Sequence, residues 1–354
     1  TTNDLWSWDG EQWRLEEVEG TLPPSRYAHK MVYDSDRDRL VVFGGCTQRT
    51  CGTMLNDMWV LEAGRWQELS VSGGPSPRAG FGMTYSEALG GVVINGGCTS
   101  GWELDFDGIE CRSTDLNSPS VTNTFLFDGS SWSTVASGFE DRGLHELLAI
   151  GTDLLSVGGC RYRDDDDNGR LCEAIRTTTC SPSQSAWFDV QSGRTGSAGA
   201  AVFDKSRNLL LFFGGVSGAG FGGGQFFDTG LLTWNWQGSC EDGGWNDRVN
   251  GDASEPVGFR SRPSSVYDDE LERVVMILGN ADISGDAIPG GEPTMQFRDL
   301  VWSDANRTSN DAPNREGMRW AYDSNREVFV GFWASGSSYD TYEWGGSLFS
   351  SFTE

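Results

Sequence analysis

RYAHKMVYDSDRDRLVVFGG, residues Arg26–Gly45, is an arginine, a short run ending in Tyr33-Asp34, a polar interval, and an apolar run closed by two glycines. Both runs have strand length, and the interval Ser35-Asp36-Arg37-Asp38 is turn chemistry. The stretch therefore reads as two antiparallel strands. Its recurrence decides the fold. With Arg26 as origin, the same place is taken by Arg78, Arg142, Gly196, Arg260 and Arg315, 52 to 64 residues apart. Seven residues on stand Tyr33, Tyr85, Ala149, Phe203, Tyr267 and Tyr322, and the second strand ends in Gly44-Gly45, Gly96-Gly97, Gly158-Gly159, Gly214-Gly215, Gly279-Asn280 and Gly331-Phe332. A period of this length belongs to proteins built from stacked equal units.

After a loop of variable length each copy has an aromatic strand, as at Asp57-Met58-Trp59, Thr124-Phe125-Leu126-Phe127, Trp187-Phe188, Thr233-Trp234, Val301-Trp302 and Glu343-Trp344. Most copies then turn and reach a second tryptophan, as in Ala63-Gly64-Arg65-Trp66. The segments are fenced by Gly, Asp, Ser and Pro, and no stretch has a helical period. Four short strands in each of six units make an all-β chain, a β-propeller of four-stranded blades. The expected domain is a single propeller over 1–354, with units near 26–77, 78–141, 142–195, 196–259, 260–314, and 315–354 joined by 1–25. Asp4-Leu5-Trp6 and Trp13 are expected to add outer strands to the last blade and so clasp the ring. Because Tyr342-Glu343-Trp344 competes for the same place, seven blades remain the alternative to six. The glycine pairs are expected where an inner strand turns close beside its neighbour, and the Trp and Tyr phases as filling between blades.

Arg26 with His29, the Gly-Gly strand end, and Asn56-Asp57-Met58-Trp59 followed by a Gly-x-x-Trp turn together resemble the kelch repeat, and Asn3-Asp4-Leu5-Trp6 echoes the third of these. The likeness extends over nearly the whole chain. It implies four-stranded blades around a central channel, and it weakens at Gly196, which replaces the arginine, and at Gly331-Phe332, where the second glycine is lost. Kelch-type propellers include a copper radical oxidase, whose two His and two Tyr ligands and cysteine-linked tyrosine are not matched here. No copper, zinc, nucleotide or flavin is expected.

The charge is -26, with 52 acidic against 26 basic residues and two histidines. Such a surface repels nucleic acid and anionic membrane and favours cations or basic partners. No apolar run approaches membrane-span length. Cys46, Cys98 and Cys160 each follow a Gly-Gly, and each has a follower in the same loop. The expected pairs are Cys46 with Cys51, Cys98 with Cys111, Cys160 with Cys172, and Cys180 with Cys240, exchange among the last four remaining open. An even count used as loop staples points to an oxidising compartment, so the expected location is extracellular or at the cell surface, with Thr1 opening a processed chain or an excised domain.

Two stapled loops carry carboxylate patterns that suit calcium. Asp164, Asp166 and Asn168 alternate before Gly169, as in the front half of a calcium loop, although Ile175 stands where a bidentate Glu is expected. Asp105, Asp107 and Glu110 form a second cluster. In each case a solvated acidic loop is the competing interpretation. The run Gly214 to Gly224 lacks the Gly-Lys-Ser/Thr ending of a phosphate loop.

Arg26, Arg78, Arg142, Arg260 and Arg315 are expected at one height of the innermost strands. There they either pair with Asp or Glu of neighbouring blades or receive an anionic group from outside. His29 and His145 share one repeat offset, which suggests scaffold rather than catalysis. Partner contacts are expected in the loops at 98–122, 160–184, 216–230 and 280–297, where Trp102, Tyr162 and Phe221 are aromatics without repeat counterparts. The expected function is a binding or assembly module for a protein or an anionic glycan, within a larger surface assembly. The alternative is a carbohydrate-active propeller similar to sialic acid epimerases, with Glu140, Asp141 and Glu146 flanking Arg142 as the acid–base candidates.

Overall fold

A computed structural model describes residues 3, 5–8, 13–48, 51–105, 108–112, 122–139, 142–163, 171–174, 177–181, 186–192, 199–213, 232–240, 242, 245–247, 264–268, 272–277, 294–298, 301–304, 319–323, 328–335, 338–344 and 349–353. The regular elements among them are β-strands. The stretch that decides the fold forms the antiparallel pair expected of it: Lys30–Asp34 lies along Arg39–Cys46, with Tyr33 opposite Leu40 and Asp34 opposite Arg39. Met54–Glu62 and Arg65–Leu69 follow in the sheet, so that across these four strands chain order and spatial order coincide. The next copies do the same. Gly82–Ser86, Gly91–Asn95, Thr124–Phe127 and Trp132–Ala136 form the second sheet, and Glu146–Ile150, Asp153–Val157, Thr177–Ser181 and Phe188–Ser192 the third.

The chain divides into two compact units, one built on Thr1–Ser192 and the other largely on Asp242–Glu354. In the first, the innermost strand of the second sheet lies against those of the first and third. Alternation fixes which faces meet. Val41, Phe43, Met58 and Val60 of the first sheet close over Met83, Ile94 and Phe127 of the second. Phe43 also meets the edge of Trp132 with ring centres 5.8 Å apart. The aromatic phases are thus inter-sheet filling. Between the second and third sheets, Phe139 and Trp187 pack at 4.8 Å among Val93, Leu147 and Leu154.

In the second unit, three further sheets keep the same order. They are Ala200–Asp204, Leu209–Phe213, Leu232–Asn235 and Trp245–Asp247; then Ser264–Asp268, Arg273–Ile277, Thr294–Arg298 and Val301–Asp304; then Arg319–Asp323, Val328–Ser335, Ser338–Trp344 and Phe349–Thr353. The innermost strand of the middle sheet again lies against those on either side.

The N-terminal strands depart from expectation. The last sheet draws all four strands from 319–353, while Trp6–Trp8 pairs with Trp13–Leu15 in a sheet of two, and Glu19–Gly20 runs parallel to Arg65–Trp66 on the first sheet. The Asp-Leu-Trp signature identified the kind of strand but not its neighbours.

The glycine pairs do what only glycine does. Both members are left-handed in three successive units, with φ of 60° and 88° at Gly44 and Gly45, 60° and 90° at Gly96 and Gly97, and 67° and 92° at Gly158 and Gly159. A Cβ on Gly45 would lie 2.4 Å from the Tyr27 carbonyl oxygen. The second strand therefore ends in a turn that brings Cys46 back beside Tyr27, and Cys98 beside Ala79, each pair sharing two main-chain hydrogen bonds.

Candidate functional site

The arginine register is the feature on which the sequence placed a ligand. Its geometry is internal. Arg26 Nη1 donates to the Gly44 carbonyl at 3.1 Å, and Nη1 and Nη2 grip the two oxygens of Asp57 at 2.8 and 2.7 Å. Burial pushes the Asp57 carboxyl up, but hydrogen bonds from Arg26 and Trp59 outweigh it and hold the pKa below its ordinary value. Arg78 Nη1 donates to the Gly96 carbonyl at 2.6 Å, and its other nitrogens reach Ser76 O at 3.0 Å and Ser76 Oγ at 3.1 Å. Arg142 Nη1 donates to Gly158 O at 3.1 Å and lies 3.4 Å from Ser156 O. At each of the three described arginines the guanidinium thus serves the first carbonyl of its own Gly-Gly pair, one that the left-handed turn takes out of the ladder.

Arg78 and Arg142 are 0% and 1% exposed, and their guanidinium carbons stand 5.8 Å from the ring centres of Phe125 and Phe139. Burial pulls their pKa values down to about 10 and about 9. Neither has a face on which an outside anion can sit, and the ion pair of Arg26 with Asp57 lies within a single sheet rather than between neighbours. The left-handed turn supplies a concentrated acceptor that the sequence pattern did not reveal. Arg260 and Arg315 lie outside the described residues.

The two histidines part company. His145 is 2% exposed, with Nε2 2.9 Å from Asn95 Oδ1 of the preceding sheet, a geometry in which the ring N–H donates to the amide oxygen. Burial, then the charges of Arg142 and Lys30, push its pKa well below the ordinary value. His29 is exposed at the same repeat phase. The partner of His145 is thus an asparagine side chain of the neighbouring sheet, in keeping with a scaffold role.

Two sets of inter-sheet ties escaped the sequence analysis. One is a run of main-chain bonds at the second residue after each arginine: Gly80 N–H to Ala28 O at 3.2 Å, and Leu144 N–H to Gly80 O at 2.8 Å. The other uses the polar turn. Buried Asp34 holds Arg37 and Arg39, which reach carbonyls of the second sheet's turns, Arg37 at Gly90 and Asp128 and Arg39 at Gly129. Asp204 holds Arg207, which donates to the Glu272 carbonyl of the next sheet at 2.6 Å. The signal was present, since Asp34-Ser-Asp-Arg37 recurs as Asp204-Lys-Ser-Arg207.

The stapled loops contain additional strands. After Gly-Gly-Cys in the second sequence repeat, Ser100–Asp105 pairs with Gly108–Arg112, setting Trp102 opposite Cys111, Glu103 opposite Glu110 and Asp105 opposite Gly108. At the same phase of the third repeat, Cys160–Arg163 pairs with Leu171–Ala174, setting Tyr162 opposite Cys172. The strand Gly108–Arg112 lies against both strands of the second hairpin. Trp102, Tyr162, Asp105 and Glu110 are thus carried on two adjacent hairpins. Asp107, Asp164, Asp166, Asn168 and Phe221 lie outside the described residues. Cys46 is bonded to Cys51 and Cys180 to Cys240, as expected. Cys98 is also in a disulfide, and the side chains of Cys111, Cys160 and Cys172 lie outside those described.

With this geometry in hand, comparison with known proteins is decisive for the repeat. Residues 1–138 match the KLHDC2/KLHL20/DRC7 Kelch-repeats domain. They are kelch repeats. A stretch of 102 residues, 27% of the chain, is 37% identical to dynein regulatory complex subunit 7 of Chlamydomonas reinhardtii, and covers 8% of that protein. Adagio-like protein 3 of Oryza sativa subsp. japonica is 27% identical over 46% of the chain and 24% of its own length. Mei4-dependent protein 6 of Schizosaccharomyces pombe is 27% identical over 48% of the chain and 23% of its own length. The chain therefore spans less than a quarter of the length of these curated relatives. The kelch match covers the first two sheets, and the third keeps their arginine, glycine and inter-sheet bonds.

Proposed function

We propose that this chain is a protein-binding module of the kelch-propeller type, and that the two inserted hairpins are where it binds. The observation that carries the proposal is their juxtaposition: Gly108–Arg112 lies along Cys160–Arg163 and Leu171–Ala174. The first unit closes the same interval with a short loop stapled by Cys46 and Cys51. The frame is thus complete without the hairpins, and elements added to a repeat frame and gathered in one place are the usual seat of recognition. A net charge of -26 favours a partner with a basic face. The match to a protein named as a subunit of a dynein regulatory complex is in keeping with an assembly role.

Finer features belong to the same proposal. Closure of the sheets into a ring is supported by the repeated inner-strand packing within each unit. An extracellular or cell-surface location is supported by the disulfides. Calcium at Asp164, Asp166 and Asn168, and at Asp105, Asp107 and Glu110, rests on the alternation of carboxylates in the sequence. An anionic glycan in place of a protein rests on Trp102 and Tyr162. The catalytic alternative finds little support, because Arg142 is turned onto carbonyls and His145 onto Asn95.

The test replaces residues 100–112 and 160–174 with short Gly-Ser loops and compares partner capture by the two proteins after circular dichroism has shown equal strand content. Loss of capture supports the assignment, and equal capture refutes it. Titration calorimetry with calcium chloride tests the metal sites: no heat and no rise in melting temperature at millimolar calcium removes them.

A further inference from the structure

Among the described residues of its own compact unit, one face of the first sheet is covered over only half its extent. In the second sheet Met83 is 8% exposed and Tyr85 is half-buried, because Val32, Val41 and Phe43 of the first sheet pack over that face. Met31 and Tyr33 hold the same phases on the first sheet, and they are 51% and 52% exposed. The outer part of that face is covered by N-terminal residues: Leu5 and Val18 pack on Val42, Trp59 and Trp66.

Those two residues are in phase with a repeat. A constant offset of 53 relates Leu5 to Met58, Trp6 to Trp59, Trp13 to Trp66 and Val18 to Val71. Met58 and Val71 are residues with which the outer part of the first sheet meets the second. The pairing register is the same as well. Trp6 opposite Leu15 and Trp8 opposite Trp13 repeat Trp59 opposite Glu68 and Leu61 opposite Trp66. The bond from Glu16 N–H to Leu5 O, at 2.8 Å, repeats the Met58 and Leu69 pair. The N-terminal hairpin thus stands to the first sheet as the outer strands of the first sheet stand to the second.

We propose that Trp6–Trp8 and Trp13–Leu15 are the outer half of a further blade, and that the place beside them, over Met31 and Tyr33, receives the inner strand pair of a kelch unit. The counterpart of Trp6–Trp8 in the first sheet, Met54–Glu62, is flanked on its inner side by Arg39–Cys46, so the occupant is an antiparallel pair of that kind. It presents apolar residues at the phases of Val32, Val41 and Phe43 and ends in Gly-Gly. An intact four-stranded sheet does not fit, because its outer strands would fall where Leu5 and Val18 already lie.

The test is peroxide oxidation of Met31, read by peptide mass mapping with Met83 as the buried reference. It compares the 354-residue chain with a fusion in which a copy of residues 26–53 precedes Thr1, a joint that preserves the offset. A second arm supplies the same segment as a synthetic peptide in trans. In the unfused chain Met31 oxidises several-fold faster than Met83. In the fusion, or with saturating peptide, its rate falls toward that of Met83 and the melting temperature rises, whereas a copy carrying Ser at the phases of Val41 and Phe43 protects nothing. Slow oxidation of Met31 in the unfused chain overturns the proposal, independence from concentration pointing to the chain's own sheets and dependence on it to a second copy. Met31 remaining fast in both the fusion and the peptide arm also overturns it.

Discussion

Replacing Arg78 by alanine separates a structural arginine from a ligand-binding one. The side chain is fully buried, and burial alone pulls its pKa down to about 10, which corresponds to a desolvation cost of about 3 kcal/mol. Opposing that cost are bonds to Gly96 O, Ser76 O and Ser76 Oγ, each worth about 1.5–3 kcal/mol for a charged donor. The Arg78→Ala protein loses these bonds, leaves the Gly96 carbonyl without its donor, and opens a cavity beside Phe125. It is expected to be less stable by about 3–5 kcal/mol. Arg78→Lys keeps the charge but not the fork, and recovers less than half of the loss. The assay is urea unfolding followed by tryptophan fluorescence, with ΔG from linear extrapolation, alongside partner capture by the folded variant. A loss below about 1 kcal/mol accompanied by abolished capture would refute the structural role.

Three other outcomes are open to direct measurement. Gly96→Ala places a Cβ 2.5 Å from the Arg142 carbonyl oxygen at a φ of +60° and is expected to cost more than about 3 kcal/mol. Gly64→Ala, at φ +76° with nothing within 4 Å, costs only about 1 kcal/mol, so thermal melts of the two should differ widely. His145 stays neutral when folded, its pKa being depressed from 6.5 by burial and then by Arg142 and Lys30. The unfolded chain takes up a proton below pH 6.5 that the folded chain refuses, so stability falls as the pH is lowered through and below 6.5. His145→Gln, which keeps a donor for Asn95, should flatten that slope. Arg37→Ala removes the tie from Asp34 to the turns at Gly90 and Asp128 and is expected to lower urea stability by about 1–3 kcal/mol.

The phrase from Arg26 to Gly45 carried most of the fold. Strand length, turn chemistry and the glycine pair are local properties, and each is realised in the sheets. The site was less legible, because its chemistry depends on neighbours. His29 and His145 have the same local sequence role, yet one is exposed and the other buried, with Asn95 of the preceding sheet against the His145 ring. The arginines were matched with carboxylates because charge is visible in a sequence. The acceptors they mostly use are carbonyls freed by a left-handed turn, which no side chain announces. The reach of Arg37 and Arg207 across to the next sheet was hidden for the same reason, the partners being main-chain oxygens. The disulfide Cys46 to Cys51 was readable because both cysteines share one loop, whereas Cys180 to Cys240 was only the pair left over once the other cysteines were placed in their loops.

The main-chain bonds linking Ala28, Gly80 and Leu144 have an evolutionary corollary. A link between peptide groups asks nothing of the side chain it passes through, and these three positions carry a methyl, a hydrogen and an isobutyl group. All three are left-handed, with φ of 51°, 60° and 57°, so substitution wanders only among residues that tolerate that conformation, β-branched side chains and proline being disfavoured. A lineage can thus blur its signature along these links while the spacing between neighbouring sheets is kept, so descendants of such repeats are recognised by spacing long after their letters have diverged.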